Sequence, residues 1–312
     1  MSYDDGVIAT NDDAASCKRF AVNKGYWKDD YIQYFVRMMP ERKAPEISRG
    51  YYARVEGMKI LLTQFLEMTG RNCQVVNLGA GFDTLFWQLH ADKMFPTQGF
   101  FEVDLKPVVT RKCMAIKSRR QLHDAFPEGG LVIENDEAHS SLYHLIAADI
   151  TNVAQMEDKL LKAGLNLSIP TIFLAECVLI YLDPKDSNEI LEWVARRFET
   201  AMFINYQPVN LTDRFGQVML ENLQSRHCTL LGAKGHPTVH HQKEVFVKVG
   251  WEGAKAKDMM EVYRKLPKED VTHVEKLEFL DEVNLLHDLL RHYCISWAFK
   301  DKKKLGLEEI TF

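Results

Sequence analysis

Gly79 and Gly81, in the run Val75-Val76-Asn77-Leu78-Gly79-Ala80-Gly81-Phe82-Asp83-Thr84, are the residues from which a chemistry can first be read. A short apolar, β-branched run ends in Gly-x-Gly, and a helical pattern follows through Leu85, Phe86 and Leu89. Strand, tight turn and helix in that order suit a nucleotide-type ligand. Glycine lets the backbone bend sharply and lets a ligand come closer than a Cβ would allow. Turns that take a pyrophosphate carry a third small residue where this chain has Thr84, with Asp83 beside it. An anionic side chain at a helix N-terminus suits the helix dipole but competes with a phosphate for the same positive end. The turn is therefore expected to take a ligand without phosphates, such as S-adenosylmethionine (SAM).

The next strand-like run, Phe100-Phe101-Glu102-Val103-Asp104, puts two acids on one side by the period of two, and Pro107 limits its extent. Asp104 is nearer the carboxyl end, where ligands of open α/β sheets sit, and is the better candidate to grip two ribose hydroxyls. Two further strand ends fit the same scheme. Tyr143 to Ala148 leads into Asp149 and Ile150, an acid able to bond an adenine amino group beside an apolar residue able to pack on the ring. Thr171-Ile172-Phe173-Leu174-Ala175-Glu176 ends in an acid, with Tyr181 and Asp183-Pro184 shortly after. Any one acid could simply cap a following helix. Together with the glycine turn, a shared adenosine-containing ligand is the better account.

The elements that must position these residues alternate strand with helix. Strands are expected near 74–79, 100–104, 144–148, 171–176 and 201–206, which makes a doubly wound parallel sheet. Residues 1–16 are polar and acidic and are expected to be disordered. Residues 17–70 read as a helical cap broken between Pro40 and Pro45, and 71–206 as the ligand-binding core. Residues 207–248 read as a lid over the carboxyl edge, with a helix from Asp213 to Leu231 and a loop to His241. Residues 249–312 complete the sheet, with helices near 258–266 and 279–292 and a strand from Tyr293 to Phe299. One domain of 17–312 fits better than two.

Composition narrows the classes. The chain has 312 residues, 46% of them hydrophobic and 27% charged, with a net charge of −5. That balance argues against nucleic acid as the main partner, and the short basic runs at 117–120 and 302–304 read as solvated faces. No apolar run reaches membrane-span length and the acidic start lacks a signal-peptide pattern, so a cytoplasmic protein is expected. Six scattered cysteines without a C-x-x-C pair indicate neither a disulfide framework nor zinc. His236, His240 and His241 lie among Gly235 and Pro237, a poor frame for a metal, and none is expected.

The chain resembles the leucine carboxyl methyltransferases, a branch of the class I SAM-dependent methyltransferases. The resemblance runs from Cys17-Lys18-Arg19-Phe20-Ala21-Val22 almost to the last residues. It is carried by Arg42-Lys43-Ala44-Pro45-Glu46-Ile47 with Arg49-Gly50-Tyr51, by Val76 to Gly81, and by Phe101 to Asp104. Ala175-Glu176-Cys177-Val178-Leu179, Asp213-Arg214-Phe215-Gly216-Gln217 and Arg291-His292-Tyr293-Cys294-Ile295 add to it. It implies a Rossmann-like α/β sheet with N-terminal helices and a helical lid. It also implies SAM as cofactor, and methylation of the C-terminal leucine carboxylate of the type-2A serine/threonine phosphatase catalytic subunit. Carried over, Lys18 and Arg54 meet the methionine carboxylate of SAM, and Gly79 and Gly81 form the turn beneath it. Asp104 takes the ribose, Asp149 and Ile150 the adenine, and Glu176 the methionine amino group. The stretch Leu231 to Lys248 matches least.

Such a reaction needs little machinery. A C-terminal carboxyl, with a pKa of about 3.3–3.7, is already ionised at neutral pH. Tyr206 and Arg214, just past a strand end, are the candidates to hold it, although Arg214 also reads as a surface ion-pair partner. Other readings remain: an NAD-dependent oxidoreductase, a transfer-RNA methyltransferase of the wybutosine type, a methyltransferase of small carboxylic acids, and a phosphatase-binding protein without activity. Thr84 disfavours the first, acidic charge the second, and the retained Gly79, Gly81, Asp104 and Glu176 the last.

Overall fold

Val75 and Val76 are adjacent and both fully buried, yet their side chains enter different cores. Phe100 and Phe101, Ile172 and Phe173, and Met202 and Phe203 repeat the pattern. Only strands covered on both faces behave this way. The computed structural model describes residues 3–126, 130–235 and 237–312. It opens with three helices, α1 (Tyr3–Lys24), α2 (Ile32–Phe35) and α3 (Pro45–Met68). Then come β1 (Gln74–Leu78), α4 (Leu85–Ala91), β2 (Phe100–Asp104), α5 (Lys106–Ser118) and α6 (Arg120–His123). A hairpin of β3 (Val132–Glu134) and β4 (Glu137–His139) leads to β5 (Tyr143–Ala147), α7 (Val153–Lys162), β6 (Thr171–Glu176), α8 (Pro184–Arg197) and β7 (Thr200–Pro208). The remaining elements are α9 (Arg214–Gln224), α10 (Val239–Lys248), β8 (Gly253–Asp258), α11 (Met259–Lys265), α12 (Lys268–Leu277), α13 (Val283–Arg291) and β9 (Tyr293–Asp301).

Among the described residues nine strands form one sheet in the order β3-β4-β5-β2-β1-β6-β7-β9-β8. The five from β5 to β7 are parallel, and both flanks are antiparallel. The chain runs outward from β1 through β2 to β5, then crosses back to β6 on the other side. That reversal opens a crevice at the carboxyl ends of β1 and β6, where ligands of doubly wound sheets bind. One core takes side chains from α3, α4, α5, α11 and α13, the other from α7, α8 and α10.

Three expectations change. Residues 3–16 are not a disordered tail: α1 starts at Tyr3. Its polar side chains disguised it, because they are what fasten it. Asp12 pairs with Arg111 at 2.6 Å and Asp13 with Arg226 at 3.1 Å. The region 207–248 is not wholly a lid, since α10 packs beside β8 and buries Val245 and Phe246 in the core. The helix expected to reach Leu231 stops at Gln224. The hairpin β3–β4 was not foreseen, as strands of three residues are too short for alternation to show.

Candidate functional site

Strand order places the candidate residues in a row along the carboxyl edge: Asp149 and Ile150 after β5, Asp104 on β2, Gly79 after β1, Glu176 on β6 and Tyr206 on β7. Tyr293, at the start of antiparallel β9, ends the row. With strands about 4.8 Å apart, β5 to β6 spans roughly 14 Å. All of these residues line one cavity of about 720 Å³, inside the ~300–1,000 Å³ usual for small-molecule sites. Residues of α1, α3 and α13 complete its walls.

Both turn glycines have left-handed backbone, φ 62° at Gly79 and 50° at Gly81. Each is also crowded by protein. A Cβ on Gly79 would lie 2.5 Å from Val178, and one on Gly81 would collide with Oδ1 of Asn11. The close approach read from the sequence as a ligand's is thus made, at these two positions, by the segment after β6 and by α1. Asn11 Oδ1 accepts from Phe82 N at 2.8 Å, fastening α1 to the turn. Gly81 N donates to Asp104 Oδ2 at 2.6 Å and Leu105 N to Oδ1 at 2.7 Å. The carboxylate is therefore fixed, and each oxygen keeps capacity for a further donor. Burial pushes the Asp104 carboxyl up, against the pull of these amides.

The neighbouring acids are spent on structure. Glu102 is fully buried, and its Oε2 accepts from Lys112 Nζ and from the Tyr143 hydroxyl, both at 2.7 Å. Lys112 Nζ also donates to the carbonyl of Asp83 at 2.8 Å, gripping the turn from beneath. Asp83 itself accepts from Leu85 N at 2.8 Å and Asn77 Nδ2 at 3.2 Å. Thr84, the residue that replaced a small one, donates to buried Asp29 at 2.6 Å and so hooks α4 to the segment before α2. Position along the strand favoured Asp104 over Glu102 on their shared face, and burial separates them the same way.

Charge converges on Glu176. Lys18 Nζ lies 2.8 Å from its carboxylate, Arg54 Nε donates to the same group, and Arg54 Nη2 reaches the Glu176 carbonyl at 3.2 Å. Burial alone would raise this carboxyl, but Arg54 and then Lys18 outweigh it and hold it near a pKa of about 2. Cys177 follows with φ 61°, an uncommon backbone for a non-glycine residue, and its N–H donates to the Tyr206 carbonyl at 2.7 Å. The Arg54 guanidinium lies 5.2 Å from the Tyr51 ring and 4.7 Å from that of Tyr206. Tyr206 stacks on Tyr293 with centroids 5.3 Å apart. Tyr51 and Tyr293 were not singled out from the sequence as site residues. The spacing of Tyr51 to Arg54 on one helix face was the available signal.

Asp149 is exposed and Ile150 buried. Asp149 Oδ1 accepts from Thr151 N at 2.9 Å and Oγ1 at 2.7 Å in a local turn, while the cap of α7 is Asn152, so Asp149 lines the cavity and does not cap the helix. Arg214 is the residue not brought in. It is exposed at the first turn of α9 and does not line the cavity. Its neighbour Asp213 caps that helix and bonds His292 Nε2 at 2.9 Å, which ties two of the sequence motifs together structurally. Among the described residues no group of His, Cys, Asp or Glu could hold a metal, and His236 lies outside them. No helix among them is long and apolar enough to cross a membrane.

The donor set fits SAM. A fixed carboxylate suits a ribose, and one acid with two cations suits the two ends of an amino acid. Asp83 and Asp104 occupy the turn amides that a phosphate would want. Comparison with known proteins agrees. The profile of the leucine carboxyl methyltransferase family matches residues 6–195. Leucine carboxyl methyltransferase 1 of Bos taurus is 48% identical over 99% of this chain and 94% of its own length. The Arabidopsis thaliana homolog is 38% identical over 95% and 89%. The tRNA wybutosine-synthesizing protein 4 of Homo sapiens is 33% identical over 93% of this chain but only 43% of its own length. Among solved structures, a DUF574 family protein from Streptomyces avermitilis superposes with a TM-score of 0.57 at 15% identity, over 91% of this chain and 96% of that one. A candidate methyltransferase from Thermobifida fusca gives 0.52 at 15% identity, over 82% and 84%.

Proposed function

The chain belongs to the leucine carboxyl methyltransferase family, and from that premise we propose that it methylates the α-carboxylate of the C-terminal leucine of the type-2A phosphatase catalytic subunit. The whole-length likeness to proteins named leucine carboxyl methyltransferase 1 carries the leucine-carboxyl part of the reading, and the phosphatase is the acceptor that the family resemblance implies. SAM supplies a methyl group on a sulfonium, which an ionised carboxylate can accept without a general base. On this reading Asp104 holds the ribose, Asp149 and Ile150 face the adenine, and Gly79 and Gly81 form the turn below the methionine part. Lys18 and Arg54 share the methionine carboxylate and Glu176 takes its ammonium. Two cations against one acid leave that end of the cavity net positive, as a carboxylate requires.

The acceptor carboxylate belongs beyond Glu176, toward β7 and β9, where Tyr206 offers a hydroxyl. Arg214, outside the cavity, is set aside for that role. The buried, aromatic wall matters because charge disappears in the transfer, and water would favour the separated charges. Alignment of the two groups supplies most of the remainder, up to about 7–11 kcal/mol. The test is transfer of tritium from labelled SAM to the phosphatase core enzyme and to the same enzyme lacking its terminal leucine. Base-labile label on the intact protein alone is expected. Label on neither, with SAM still bound, would overturn the acceptor assignment.

A further inference from the structure

Ile47 and Leu289 are apolar, partly exposed, and absorbed by none of the hydrophobic cores among the described residues. Both line the cavity. They come from α3 and α13, which pack against each other. On α3, Ile47, Gly50 with Tyr51, and Arg54 follow at helical spacing, so one face runs along the cavity toward Glu176. Leu290 and Met259, both deeply buried, form a fixed wall beside them. Gly50 lets Leu289 close on α3: a Cβ there would sit 2.9 Å from Cδ2 of Leu289 and would displace that side chain from its place in the cavity wall.

Next to this slot stand the stacked rings of Tyr206 and Tyr293. Among the described residues, neither hydroxyl is hydrogen-bonded to a protein group, although both side chains line the cavity. Burial pushes both phenols up, so both are protonated donors at neutral pH. Two free donors beside an aliphatic slot match the two parts of a terminal residue, an α-carboxylate and a branched apolar side chain.

We propose that Ile47, Leu289 and Gly50 form the slot that reads the side chain of the acceptor's last residue, while Tyr293 together with Tyr206 holds its carboxylate. This rests on the acceptor reading above and names the residues that make it selective. A hydrophobic pocket discriminates about 10- to 200-fold per methylene, so changing its walls should change which terminus is preferred.

The experiment measures label transfer from tritiated SAM to the phosphatase core enzyme ending in Leu, Met, Phe or Ala. Wild type is compared with Leu289→Ala, Ile47→Ala, Gly50→Ala and Tyr293→Phe, with SAM affinity measured by calorimetry. Leu289→Ala and Ile47→Ala are expected to lose roughly tenfold or more on the leucine terminus and to gain on phenylalanine relative to leucine. Gly50→Ala is expected to shift preference toward alanine. Tyr293→Phe should raise KM on every terminus alike. All four should keep SAM affinity within about twofold, a readout a merely structural defect would move. An active wild type whose preference is unmoved by both Leu289→Ala and Ile47→Ala overturns the slot alone. A wild type inactive on every terminus while binding SAM overturns the acceptor reading, and the slot with it.

Discussion

Glu176 and Asp104 are both acids at strand ends, yet the structure gives them opposite electrostatics, and each makes its own prediction. Glu176 is held near a pKa of about 2 by Arg54 and Lys18 against burial. A depressed carboxyl contributes stability above its unfolded value, and that contribution is lost as pH falls toward the folded one. Unfolding in urea between pH 5 and 2 should therefore show a loss of roughly 3 kcal/mol that Glu176→Gln does not show. Asp104 accepts two amide hydrogens and has room for a ligand's. Asp104→Ala should weaken SAM binding by about 1.5–3 kcal/mol with the fold kept; unchanged affinity by calorimetry would dismiss the ribose role. Lys112 is different again, because it sits fully buried on Glu102 under the turn. Lys112→Met strands that carboxylate and should cost about 3–5 kcal/mol in a urea melt, while Arg214→Ala, on the exposed side of α9, should leave turnover within about twofold.

At the scale of elements, what could be read in advance depended on whether an element's reason for existing was local. β2 and β6 lie where the apolar runs 100–104 and 171–176 placed them, because a strand buried on both faces carries its own signature. The row Gly79, Asp104, Asp149 and Glu176 was legible for the same reason, since these residues sit at or just past the ends of such strands, whereas Lys18 and Arg54, on α1 and α3, entered only through the family resemblance. α1 was not, since it is tied by Asn11, Asp12, Asp13 and Lys18 to residues 71, 99, 213 and 158 positions away, pairings that no local pattern displays. Tyr293 escaped notice similarly, as its meaning comes from stacking across β7. α10 looked like part of a lid because its neighbours, not its own core-facing Val245 and Phe246, set the impression. A chain beginning after Asp13 is expected to keep its sheet, since exposed ion pairs are worth only about 0–1 kcal/mol each. It should bind SAM more weakly, as Asn11 is part of the cavity wall. Equal affinity in the two chains would mean that the part of α1 before Ala14 is no part of the cofactor site.

For the whole molecule, the proposed carboxylate acceptor ionises near 3.3–3.7 and needs no base, which predicts a rate that is flat with pH from about 5 to 8. A bell-shaped profile of kcat/KM would instead demand a titrating catalyst. A stable protein interface buries about 1,200–2,000 Å², more than a few tail residues offer, so on the proposed function an isolated tail peptide should be a far poorer acceptor than the folded phosphatase. The arrangement of the sheet also bears on how the molecule is made. β9 lies between β7 and β8 and pairs with both along its length, yet it follows both in the chain. Until the ribosome has passed residue 301, β7 has an unpaired flank and β8 has no neighbour at all. Such an edge invites pairing with other chains. The strands that carry Gly79, Asp104, Asp149 and Glu176 are therefore made well before Tyr293, which lines the far end of the same cavity. That interval, with β7 open on one flank, is the stage at which a chaperone has most to protect.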